Sequence, residues 1–130
     1  MNKKTSTTIQ LLAPFTGVCC PLRQVPDAAF SQKMVGDGLA IDPIENILHA
    51  PCDATISQIH PSKHAVTLLT ATGIEILVHI GVDTVKLKGE GFKALVKVGD
   101  VVKAKTPLIE LDLDKVGCSV KSLRTVILLT

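Results

Sequence analysis

Turn-forming residues recur along this chain at intervals too short for a long helix. They fall at Pro26-Asp27, Gly36-Asp37-Gly38, Asp42-Pro43, Pro51, Thr72-Gly73, Gly89-Glu90-Gly91 and Gly99-Asp100. Glycine supplies backbone conformations closed to other residues, proline fixes φ and withholds an N–H, and aspartate bonds its own backbone. Between these signals lie short runs rich in Val, Ile, Leu and Thr, such as Thr55–Ile59, Ala65–Thr70, Ile74–Ile80 and Pro107–Leu111. Many short strands separated by frequent turns predict an all-β fold, an antiparallel sandwich or barrel. One short helix is expected over Leu113–Ser122, weakened by Gly117. Residues 1–10, polar and rich in threonine, read as a flexible leader, and residues 11–130 as one domain.

Two stretches echo one another. Val35-Gly36-Asp37-Gly38-Leu39-Ala40-Ile41 and Val98-Gly99-Asp100-Val101-Val102 each place a Gly-Asp turn before an apolar strand. This points to duplication of one small β unit.

Composition removes several classes of function. The formal net charge is only +2, and the aromatic residues are three Phe with no Trp or Tyr. A nucleic-acid binder needs a basic footprint and stacking platforms, so that class is excluded. No apolar run approaches the ~20 residues of a membrane-spanning helix, so no direct membrane insertion is expected. Met1-Asn2-Lys3-Lys4 resembles the start of a signal peptide, but the apolar stretch that follows is short and broken by Gln10 and Pro14. Cys19, Cys20, Cys52 and Cys118 form no C-x-x-C motif. They read as reduced thiols packed as small hydrophobes in a cytoplasmic protein.

The most informative stretch runs from His64 to His79. Ala65–Thr70 and Ile74–Ile80 are strand-like, and the short link between them predicts a β-hairpin. A turn symmetric about Ala71-Thr72 pairs Thr70 with Gly73 and, carried along the hairpin, His64 with His79. The two imidazoles then face each other, with Cβ atoms ~4.5–5.5 Å apart. Ile74, Ile76, Val78 and Ile80 share the core face, so the histidine pair is expected on the less buried face. Facing imidazoles permit nucleophilic chemistry near neutral pH, zinc binding with a third ligand, or a purely structural hydrogen bond.

Gly73-Ile74-Glu75-Ile76-Leu77-Val78-His79-Ile80-Gly81-Val82-Asp83-Thr84-Val85 resembles the active-site signature of the glucose-type enzyme IIA domain of the bacterial sugar phosphotransferase system. The resemblance extends through Ala13-Pro14-Phe15-Thr16-Gly17, Phe30-Ser31-Gln32-Lys33-Met34-Val35-Gly36-Asp37-Gly38, Lys63-His64-Ala65 and Leu87-Lys88-Gly89-Glu90-Gly91-Phe92. It covers residues from about 11 to 125. It implies an antiparallel β-sandwich, barrel-like and built as a duplicated hybrid motif. It also implies a phosphorelay that runs without a cofactor. The carrier protein HPr would phosphorylate His79 at Nε2, and His79 would pass the group to a cysteine of a sugar-specific IIB domain. His64 would bond the phosphoryl group and assist onward transfer, and Ser62 would donate to its oxygens. Phe30, Met34, Val35, Leu77 and Val85 match the family's apolar docking ring, and Asp27 and Asp83 match its nearby acidic residues.

Other readings remain beside this one. The unphosphorylated family domain can act as a regulatory module on metabolic enzymes or permeases, with a zinc ion held by the residues matching His64 and His79. A zinc hydrolase on a related β fold would need a second histidine that His79-Ile80-Gly81 lacks. A biotinyl- or lipoyl-type carrier would need a lysine-bearing hairpin that is not recognisable. His60 reads as a surface or rim residue, because Pro61 makes His60 to His64 a turn and not a helix. His49 reads as a loop-edge residue, and the lysines between Lys86 and Lys97 as solvated. Val126 stands where the family has proline, and the chain stops at Thr130. The family's closing strands are therefore expected to be missing, leaving an open sheet edge.

Overall fold

The structure, a computed structural model, describes residues 9–130. The first eight residues of the expected leader lie outside the described residues. In chain order the elements are β1 (Gly17–Pro21), α1 (Ala28–Ser31), β2 (Asp37–Pro43), β3 (Ile47–His49), β4 (Ala54–Ile59), β5 (Ala65–Leu69) and β6 (Glu75–His79). There follow β7 (Phe92–Ala94), β8 (Val101–Val102), β9 (Pro107–Leu111), α2 (Leu113–Ser119) and β10 (Thr125–Leu129). Short 3-10 turns cover Leu22–Gln24 and Thr84–Leu87.

The strands form two antiparallel sheets. The larger has seven strands in the order β1-β2-β10-β6-β5-β4-β8, and the smaller has three, in the order β3-β9-β7. The large sheet ends in β1 and β8 without closing on itself, so the fold is a sandwich and not a closed barrel. The main core lies between the sheets. Ile41, Ile56, Leu68, Ile76, Val78 and Ile127 supply it from one side, and Leu48, Leu108, Ile109 and Leu111 belong to the same cluster. A second, smaller cluster covers part of the large sheet's other face. It joins Ala40, Val126 and Leu128 of the sheet to Leu22, Val25, Phe30 and Val82. That outer cluster positions the site described below.

The period-two expectation for β6 holds: Ile76 and Val78 are buried, Glu75 is exposed, and Leu77 and His79 are half-buried. The expected register does not hold. Thr70 N–H donates to the Ile74 carbonyl (2.9 Å) and Gly73 N–H to the Thr70 carbonyl (3.0 Å). The link is thus the three residues Ala71, Thr72 and Gly73, with Gly73 left-handed at φ 88°. A turn followed by a left-handed glycine is the common three-residue hairpin loop, and it shifts the pairing by one residue. His79 therefore pairs with Ala65, not His64.

The helix near the C-terminus is α2. It starts where expected, with Asp112 capping it by accepting from Lys115 N–H (3.1 Å). It ends at Ser119, three residues short of the expected Ser122. Ser122 is taken by another partner, since its carbonyl accepts the Val82 N–H (2.8 Å).

Both Gly-Asp stretches lead into strands of the large sheet, β2 and β8, as the echo implied. Their glycines serve different ends. Gly99 is left-handed (φ 95°) and open on its Cβ side, whereas a Cβ on Gly38 would stand 1.8 Å from the Ile127 carbonyl oxygen. Gly38 is what lets β2 lie flat against β10.

β10 lies between β2 and β6 and pairs with both. The open edges of the large sheet are therefore β1 and β8, not the last strand. The cysteines are all free thiols. Cys52 packs as a small hydrophobe, whereas Cys19 and Cys118 are exposed.

Candidate functional site

Three imidazoles and a phenyl ring form a row at one end of the large sheet's outer face. Ring centroids are 5.0 Å apart for Phe30 and His79, 4.7 Å for His79 and His64, and 4.4 Å for His64 and His60. The sequence leads to this meeting by three local routes. β6 alternation turns His79 outward beside Val126, its cross-strand neighbour. The Leu22–Ser31 segment folds over the same face and brings Phe30 against the His79 ring. The β4–β5 hairpin ends in a turn in which Lys63 N–H donates to the His60 carbonyl (2.7 Å), with Lys63 left-handed at φ 61°. That turn places His60, Ser62 and His64 together.

His79 is oriented by a hydrogen bond. Its Nδ1 lies 2.9 Å from the Gly81 carbonyl oxygen. A carbonyl only accepts, so Nδ1 carries the proton and the neutral ring keeps its lone pair on Nε2. Gly81 has φ +70°, and a Cβ there would stand 2.8 Å from the Ser122 carbonyl oxygen and 2.9 Å from Thr84 Cγ2. Glycine alone fits, and it aims the carbonyl at His79. Thr84, fully buried, ties the same turn by donating from Oγ1 to the Ile80 carbonyl (2.7 Å).

His64 is buried, against the expectation that the pair lies on the less buried face. The shifted register sets it opposite Ile80, whose N–H donates to the His64 carbonyl (2.8 Å). Ile80 faces the core, and His64 is carried inward to 2% exposure. It still reaches His79 because it precedes β5 and is free of strand alternation. Its Nδ1 is buried and has no hydrogen-bond partner among the described residues. Phe92 lies behind it, ring centroids 6.5 Å apart.

Both rings are held neutral at pH 7. Burial pushes His64 down to about 4, with His79 and His60 adding repulsion and the Ser62 backbone opposing it. Burial also lowers His79, opposed by the Gly81 hydrogen bond and the negative charge of Asp27. Asp27 is the N-cap of α1, accepting from Ala29 N–H (2.9 Å). It thus holds the helix that carries Phe30 and adds negative potential at His79. Ser62 is half-buried in the turn between His60 and His64.

The expected docking residues fall at different depths. Met34 (71%), Val85 (51%) and Val35 (41%) are exposed, Leu77 is half-buried, and Phe30 is buried against the His79 ring. Phe30 is therefore a wall of the site and not part of its open ring. Asp83 is exposed and left-handed (φ 66°) at the start of the 3-10 turn that carries Val85. A shallow groove lined by His60, Thr67, Leu77 and Val98 adjoins the row.

Sequence reading missed two features. His60 is exposed, as expected of a rim residue, but its ring packs on His64 and its Nδ1 accepts from Ser62 N–H (3.0 Å). The capping role of Asp27 was hidden in a Pro-Asp turn signal. An Asx residue followed by Ala-Ala-Phe was the available clue. His49 closes β3, and Lys86, Lys88, Lys93 and Lys97 are exposed. Among the described residues, no group of three or more His, Cys, Asp and Glu side chains is arranged to hold a metal ion, and no helix is long and apolar enough to cross a membrane.

Residues 9–130 match the family model of the phosphoenolpyruvate-dependent sugar phosphotransferase system, EIIA 1. The chain is 41% identical over 128 residues to a PTS system glucose-specific EIIA component of Staphylococcus epidermidis, covering 98% of this chain and 77% of that one. It is 47% identical over 117 residues to the PTS system N-acetylglucosamine-specific EIICBA component of Klebsiella pneumoniae, covering 90% of this chain and 18% of that larger protein. Its structure superimposes on glucose permease IIA from Mycoplasma capricolum with a TM-score of 0.91 and 40% identity, covering 93% of this chain and 79% of that one. The chain belongs to the EIIA 1 family of the phosphotransferase system, whose glucose-type members are phosphoryl carriers in sugar transport.

Proposed function

We propose that His79 is the phosphoryl carrier of this chain, loaded by HPr and unloaded by the cysteine of a sugar-specific IIB domain in the cytoplasm. The observation that carries this reading is the Nδ1 bond to the Gly81 carbonyl, which leaves Nε2 as the free nucleophile beside a second, neutral imidazole. In loading, the bond from phosphorus to its donor atom on HPr breaks as the P–Nε2 bond forms. In unloading, P–Nε2 breaks as P–S forms. The proton stays on Nδ1 throughout, donated to the Gly81 carbonyl.

Phosphoryl transfer asks the protein chiefly for an in-line nucleophile and for donors to the charged oxygens. His64, neutral and 4.7 Å from His79 between ring centroids, offers one N–H. Ser62 offers its hydroxyl from the same turn. Burial of both rings lowers the local dielectric, which makes each such donor worth more than in water. The phosphorylated ring would carry added positive charge, and Asp27 favours it.

Met34, Val35 and Val85 form the docking rim, with Leu77 at its floor and Asp83 beside it. An exposed apolar patch flanked by a carboxylate suits a transient partner bearing apolar and basic groups. The test is incubation with phosphoenolpyruvate, enzyme I and HPr. An acid-labile, base-stable adduct is expected on the parent and on His64→Ala, but not on His79→Ala. Onward transfer to IIB is expected to fail in His64→Ala. Label retained by His79→Ala would overturn the assignment.

A further inference from the structure

We propose that His60 is a positioning residue for the transfer, holding both helpers, His64 and Ser62, in place. The proposal rests on the relay reading above.

His79 and His64 are oriented by different means. A hydrogen bond to Gly81 fixes the His79 ring. His64 has none at Nδ1, although that nitrogen is buried. Packing against its neighbours, together with the backbone of Ser62, then sets its ring plane. Of the three rings around it, His79 is the group it acts on, and Phe92 is 6.5 Å away. His60 is nearest, at 4.4 Å with planes tilted by 54°.

His60 is itself fixed. Its Nδ1 accepts the Ser62 N–H at 3.0 Å, and its backbone is pinned on both sides. Its N–H donates to the Ala65 carbonyl (2.9 Å), and its carbonyl accepts from Lys63 N–H (2.7 Å). One ring therefore holds the backbone of Ser62 and one flank of His64. Loss of that ring would free His64 to turn about χ2, the softest torsion of an imidazole. Misplacing a helper costs rate without removing the nucleophile.

The two contacts can be separated chemically. Phenylalanine keeps the flat ring but cannot accept from Ser62. Asparagine places Oδ1 close to where Nδ1 stands but has no ring. His60 is exposed, so all variants should fold with thermal midpoints near that of the parent.

Single-turnover rates would be measured for uptake from phospho-HPr and for transfer to a purified glucose-specific IIB domain. The ring ¹⁵N resonances of His64 would be recorded on the unphosphorylated chain. For His60→Ala, uptake within twofold of the parent is expected, with onward transfer slowed about tenfold. Its His64 resonances should shift or broaden. His60→Phe and His60→Asn should each recover part of the rate. Onward transfer within twofold of the parent in His60→Ala would overturn the proposal, as would unaltered His64 resonances. A parent that takes no phosphoryl group would refute the relay, and the His64 resonances would then decide the positioning role alone.

Discussion

The two central histidines show how a few ångströms of backbone decide chemistry. His79 stands on a strand whose alternation is plain in the sequence, so its outward placement was legible there. His64 was not, because its depth depends on Gly73 taking the left-handed conformation and adding one residue to the hairpin link. His60 was less legible still, since its contact is made across a turn that only the folded backbone closes. The burial of His64 has a measurable consequence. A histidine held near 4 in the folded chain binds a proton more readily when unfolded. Its contribution to stability is complete above the unfolded value of 6.5 and is lost as pH falls toward 4. The loss should amount to about 3 kcal/mol, with His79 acting in the same direction. Urea unfolding at pH 7 and pH 4 should show a drop that is smaller by about that amount in His64→Gln. An equal drop in both proteins would refute a buried, neutral His64.

At the level of elements, the turns carry as much of the site as the strands do. Gly81 and Gly73 are both left-handed, yet they should respond differently to alanine. At Gly73 nothing lies within 4 Å of a new Cβ, so Gly73→Ala should cost only the backbone penalty of about 1–2 kcal/mol. At Gly81 the Cβ would press on the Ser122 carbonyl and Thr84. Gly81→Ala should cost about 3 kcal/mol or more and should also move the carbonyl that fixes His79. Thermal unfolding of the two variants side by side would test this, and equal shifts would refute it. Asp27 offers a second element-level test. Asp27→Ala removes the α1 cap, worth about 1 kcal/mol, and removes a charge that raises the His79 pKa. An NMR titration should find His79 lower in that variant than in the parent. The short helices were read unevenly for a physical reason. α2 has a seven-residue apolar and polar pattern behind an Asp cap, whereas α1 is a single turn whose existence depends on packing Phe30 over the sheet.

Across the whole molecule, the sandwich class was legible from turn spacing, but the order of strands was not. β10 inserts between β2 and β6, a pairing of distant segments that no local pattern encodes. That insertion depends on Gly38, which in the sequence is legible only as a turn signal. The same large sheet gives the molecule its two faces. One builds the core, and the other carries the histidine row, with Met34, Val35 and Val85 as the proposed docking rim. Charging that rim should disturb encounter and not chemistry. Met34→Asp is expected to lower the second-order rate of uptake from HPr about tenfold. The thermal midpoint should stay close to that of the parent, because Met34 is 71% exposed. An unchanged rate would remove Met34 from the docking surface.

The measurement closest to the central claim is the ³¹P–¹⁵N coupling pattern of the phosphorylated chain, labelled with ¹⁵N in its histidine rings. Phosphorus coupled to Nε2 of His79, with Nδ1 still protonated and bonded to the Gly81 carbonyl, is the predicted result. Phosphorus on Nδ1 of His79, or on any nitrogen of His64 or His60, would contradict the account.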